Sequence, residues 1–219
     1  MKKAYISRFI SNFIRAIALV LCAIMCMGCF IACSEGSNKN EDGRDKDISS
    51  NVDSVHDSWE SVLDAFLNAV EKGDSNAISS IIAPLVVDKM RTDPENYSSY
   101  EDEFEWSTGV SRSYFDSYDL SSLKIYGKRI LSTENIYEEL MEMAVDSESD
   151  AYAGVEDAVF VTLLIDLEYY GVRIDFDHPE CREDEYCFVK QSGKWYIYEG
   201  GSCLLDTIDD INCSHRSGN

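Results

Sequence analysis

The sequence predicts an α+β domain, and three observations predict it. Val55, Trp59, Val62, Leu63, Phe66, Ala69 and Val70 recur at steps of three and four, the period of a helix with one apolar face. From Val159 to Tyr170 the period changes to two, the signature of a long strand with one apolar side. Ser192 and Gly193 then separate two runs rich in β-branched and aromatic residues, as in a two-residue hairpin. Helices followed by a meander of antiparallel strands is the α+β order.

The elements follow in sequence. Gly73 is placed to end the first helix and Asp74 to cap a second, in which Ile78, Ile81, Ile82 and Leu85 repeat the period. The domain therefore opens with a helical hairpin, and Pro84 is expected to bend or end its second member. The stretch 92–118, with Pro94 and an acidic run at 101–105, shows no clear period. Residues 120–131 read as a strand, with Ser132 or Thr133 capping a short helix over 134–145 that turns Ile136, Leu140 and Met143 inward. The long strand comes next, and strands over 186–191 and 194–199 close the domain.

The first third of the chain points outward from the cell. Lys2, Lys3, Arg8 and Arg15 stand in an opening without acids, and an uncharged apolar run fills 16–33. That is the order of a secretory leader, and the run falls short of the about 20 apolar residues a spanning helix needs. Composition then turns small, polar and charged over 34–51, as in a flexible tether. The segment Phe30, Ile31, Ala32, Cys33, Ser34 resembles the lipobox of bacterial lipoproteins. The resemblance implies lipid attachment at Cys33, with Cys29, preceded by Gly28, in reserve. The expected organisation is a leader over 1–33, a tether over 34–51, an α+β domain over 52–213 and a tail over 214–219, on a protein anchored to the cytoplasmic membrane from outside.

Loss of the four basic leader residues takes the formal charge from −22 to −26. Such a field repels nucleic acid and anionic lipid head groups, so neither is an expected partner. The even spread of acids reads as a solvated surface.

The segment WESVLDAFLNAVEKGDSNAISSII and the hairpin FVKQSGKWYIYEG resemble the opening helices and closing strands of NTF2-like (cystatin-like) domains. This resemblance implies a curved antiparallel sheet wrapped round a helix to leave a cone-shaped pocket. It implies no single reaction, because the fold serves enzymes and binding modules alike.

Candidate chemistry is sparse. Asp175, Asp177, His178 and Glu180 form an acidic turn around Pro179 that lacks a glycine-turned calcium loop, and no metal or cofactor is expected. Asp166 and Glu168 share one strand face with Tyr170; were that face a pocket wall, either carboxylate could act as a general base of an isomerase or dehydratase. The favoured expectation is a non-catalytic module that binds a small ligand or an envelope protein, with a homodimer through the open sheet face as a further possibility. Export implies disulfides among Cys181, Cys187, Cys203 and Cys213. Around a Ser192–Gly193 turn, Cys181 falls opposite Leu204, and a bulge at Gly200 or Gly201 would bring it opposite Cys203. Cys181 with Cys203 and Cys187 with Cys213 is therefore the expected pairing.

Overall fold

A computed structural model describes residues 55–92, 94–95, 97–146, 152 and 154–217, without the side chains of 143–146. The expected leader, Cys29, Cys33 and the tether lie outside the described residues. All that is described falls in one compact unit, 46–219.

Helix α1 (Trp59–Lys72) begins where the Ser58 hydroxyl accepts from the Ser61 N–H and ends at Gly73, which is left-handed with φ 65°. It buries Val62, Leu63, Phe66, Leu67, Ala69 and Val70. Asp74 caps α2 (Ser75–Ser80) by accepting from Ala77. Pro84 does not bend this helix. It starts α3 (Pro84–Thr92) instead, at a position where a missing N–H costs nothing. Helices α4 (Glu103–Thr108) and α5 (Arg112–Phe115) occupy the stretch without a clear period. Arg112 holds these pieces together: Nε donates to Asp102 at 2.7 Å, and Nη2 to Glu103 at 3.0 Å and to Ser79 at 2.6 Å.

The strands are β1 (Lys124–Asn135), β2 (Val155–Tyr169), β3 (Val172–Ile174), β4 (Asp184–Gln191) and β5 (Lys194–Gly200), and α6 (Tyr137–Asp146) lies between the first two. They form one antiparallel sheet of order β1-β2-β4-β5, with β3 on the far end of β2. β1 starts and ends four residues later than the sequence suggested. Leu120–Ser122 is a 3-10 turn, and Ser132 and Thr133 stay in the ladder opposite Thr162 and Val161. Asn135, and neither of those two, accepts from the Tyr137 N–H at the start of α6.

The 192–193 hairpin forms as expected, with both residues at positive φ (52° and 76°). Its register runs from Gln191↔Lys194 to Phe188↔Ile197, then shifts by one, so that Cys187 faces Glu199. The bulge thus falls at Tyr198, before Gly200 and Gly201. One further helix, α7 (Ser202–Ser217), takes up most of the expected tail and buries Leu204, Leu205, Ile208 and Ile211.

Core packing centres on α1 against the middle strands. Phe66 meets Tyr186 edge-on at 5.7 Å, and Trp59 meets Phe188 at 5.8 Å. The two sheet edges differ. Along β5, Ala83 donates to Ile197 and Ile197 to Ile81, while Trp195 donates to His56. Along β1 the register slips at Tyr126 and at Leu131, and Ile130 is exposed.

Two glycines separate backbone strain from packing. Gly193 (φ 76°) has open space where a Cβ would stand, whereas at Gly201 (φ 83°) a Cβ would lie 2.5 Å from Phe66 Cζ. Gly193→Ala should cost about 1 kcal/mol from the left-handed backbone alone. Gly201→Ala should cost about 3 kcal/mol or more, since it adds overpacking to the same strain. Urea melts of the two variants check this, and equal losses would refute the packing argument.

Candidate functional site

Alternation along β2 directs Val161, Leu163, Ile165, Leu167 and Tyr169 into the core and leaves Asp166 and Glu168 on the opposite face. That face is occupied by ion pairs and rings. Arg173 on β3 donates to Asp166 Oδ2 at 2.8 Å and lies 3.5 Å above the Tyr126 ring, whose hydroxyl donates to Glu168 at 3.1 Å. Phe176 reaches over Gly127 and beneath Arg129, whose guanidinium is 4.4 Å from its ring. Asp166 keeps one oxygen, Oδ1, buried and without a partner. The carboxylate thus sits beside a guanidinium, which favours its ionised form over that of a general acid.

The structure separates Tyr170 from this pair. β2 ends at Tyr169, and Tyr170 (φ 49°) and Gly171 (φ 78°) make a tight left-handed turn into β3. The turn carries the Tyr170 ring to α7, where it stacks on His215 at 4.0 Å and 9°. Between β3 and α7 there opens a groove of about 400 Å³. Val172, Ile174 and Ile211 give it an apolar floor, and Arg182, Glu180 and Asp210 give it a charged rim, with Arg182 Nη2 3.2 Å from Asp210. A second groove of about 400 Å³ lies between α3 and α4, lined by Val87, Met90, Tyr97, Tyr100, Glu101 and Glu103.

Sequence reasoning missed the most perturbed carboxylate of the domain. Asp184 is buried at the start of β4, where it accepts from the Tyr186 hydroxyl and from the backbone N–H groups of Glu185, Cys203 and Leu204. It fills the role of a cap for α7 from a distant strand, and the only trace of this in the sequence is the absence of a good cap before Ser202. Burial pushes its carboxyl up to about 6, while the four donors pull the other way.

The four cysteines of the described residues are thiols. Cys203 stands in the first turn of α7 and Cys181 precedes β4, so the expected cross-strand pairing does not arise between them. Cys187 lies on β4 between Tyr186 and Phe188, which face α1, so it points to the other side of the sheet. Cys213 is exposed on α7, across the sheet from it. Asp175, Asp177, His178 and Glu180 form a hydrogen-bonded turn, with His178 N–H on the Asp175 carbonyl and Asp177 N–H on its carboxylate. Among the described residues no three His, Cys, Asp or Glu side chains converge as a metal set.

Asp184 yields a pH prediction with a definite sign. Its folded value lies above the ordinary value of 3.8, so its stabilising contribution is full below about pH 4 and is lost as pH rises through about 6. Two pH units of displacement correspond to about 3 kcal/mol. Unfolding free energy measured from pH 4 to 7 should fall more steeply in the wild type than in Asp184→Asn. Parallel curves would refute the assignment.

Comparison of the chain with family models, with curated proteins and with solved structures finds no match.

Proposed function

We propose that the chain is an exported lipoprotein whose α+β domain, of NTF2-like cone type, serves as a non-catalytic binding module at the cell surface. The groove between β3 and α7 carries the binding part of this reading. It joins an apolar floor to a mixed-charge rim, the composition of sites that take a small ligand or an extended peptide. The interior beneath α1 is filled by Phe66, Tyr186 and Phe188, each with essentially no exposed surface, so a ligand is better accommodated at this flank than inside the cone. NTF2-like architecture is supported by a long antiparallel strand, by two register shifts that bend its β1 partner, and by a helix laid across the sheet. The address rests on the basic opening, the apolar run and the FIACS segment. No described helix is long and apolar enough to cross a membrane.

Binding is tested by thermal shift with short peptides and small apolar acids. A ligand of the folded state should add about 2.7 kcal/mol at a hundredfold excess over its Kd. Val172→Asp, on an exposed floor position, should abolish that shift while leaving the melting point of the free protein nearly unchanged. Retention of the shift in this variant would move the site elsewhere. Turnover of a bound compound, lost in Asp166→Asn, would replace the binding reading with the enzymatic one.

The anchor is tested separately by incorporation of labelled palmitate in a Gram-positive host. Cys33→Ala should abolish the label. Loss in Cys29→Ala instead would shift the attachment site, and labelling that survives both changes would remove lipidation from the reading.

A further inference from the structure

Lys89, on α3, is half-buried in a way no other cation of the described core shares. Arg112, Lys128 and Arg173 each pair with a carboxylate. Lys89 Nζ instead lies 4.4 Å from the centre of the Tyr152 ring and 5.5 Å from that of Tyr198, and donates to the Tyr198 hydroxyl at 3.4 Å. Trp106 backs Tyr198 edge-on at 4.9 Å, and Tyr97 lies 6.4 Å beyond Trp106. The titratable groups around this cage are Tyr97, Tyr152, Tyr198, Cys187 and Glu199. Burial raises both Tyr152 and Tyr198, so their hydroxyls stay neutral. None of the described carboxylates forms an ion pair with Nζ.

Aromatic walls attract an ammonium but compensate lost hydration only in part, and a lysine held this way is the common form of an activated amine. We propose that Lys89 is a covalent capture site for small aldehydes, its Nζ forming an imine against the rings of Tyr152 and Tyr198. In this step the lone pair of the neutral amine attacks the carbonyl carbon, and the carbonyl oxygen takes up a proton. The carbinolamine then expels that oxygen as water together with the two amine hydrogens, leaving a C=N bond. No oxidant or reductant is needed. Protonation of the imine restores the positive charge that the ring faces stabilise. Burial supports the geometry by lowering the Lys89 ammonium from 10.5 to about 8. This inference is independent of the β3–α7 groove.

The test treats the folded full-length protein with benzaldehyde and cyanoborohydride at pH 8, followed by tryptic mapping of the lysines. The depressed value enlarges the neutral amine fraction about a hundredfold, of which lower basicity offsets about tenfold. Lys89 should therefore be alkylated about tenfold faster than exposed Lys124. Its rate should reach half its plateau near pH 8, and its advantage should vanish in urea. Lys89→Arg should remove the fast site and leave the other lysines unchanged. Equal rates at Lys89 and Lys124 in the folded protein, or a preference that survives in urea, would overturn the proposal.

Discussion

The approach of Phe66 to Gly201 is the contact on which the rest of the structure depends. A phenylalanine from the first helix occupies the space a side chain would need at the junction of β5 and α7. The same ring meets Tyr186, whose hydroxyl donates to Asp184, and Asp184 in turn receives the first free N–H groups of α7. A steric fit, an aromatic pair and a helix cap are thus arranged in series. Beyond Gly200, where a Cβ would stand 2.5 Å from the Tyr186 ring, no bulkier residue can enter without displacing this line. The chain can therefore turn from strand to helix here in only one way, and that turn places α7 beside β3 and creates the groove.

Electrostatics is organised differently. With 41 acidic against 19 basic residues, cations are scarce, and the domain uses them at junctions. Arg112 ties α2, α4 and α5, Lys128 ties β1 to Asp64 of α1, and Arg173 ties β3 to Asp166 of β2. Partly buried guanidinium–carboxylate pairs of this kind fix geometry more than they add stability. Lys89 departs from the scheme because its neighbours are rings.

Local signals in the sequence identified the elements whose causes are themselves local. The apolar period of α1, its Gly73 and Asp74 caps, the alternation of β2 and the Ser192–Gly193 turn each follow from residues within a few positions of one another. Features decided by distant partners were not legible. Thr133 resembles a helix cap, yet it stays in the ladder because Val161 pairs with it. Tyr170 continues the alternation in print, but the Tyr170–Gly171 turn removes it from the strand, and Gly171 was the signal that could have marked this. Helix α7 carries its apolar residues at Leu204, Leu205, Ile208 and Ile211, a helical spacing obscured by three aspartates and by cysteines that suggested a pinned tail. Asp184 illustrates the limit most clearly, since nothing near it in sequence announces that it caps a helix eighteen residues away.

The unlike edges of the sheet bear on how the molecule resists self-association. At β5 the backbone groups are consumed by residues 81–83 and His56, so that side offers no ladder to a stranger. At β1 the edge stays open but is broken: the slips at Tyr126 and Leu131 leave only the four residues between them in regular register before the strand bends. Lys128 and Arg129 stand within that short span. A second chain would have to pair across two kinks and past two positive charges, so the long flat template from which fibrils grow is interrupted where it would otherwise be most accessible.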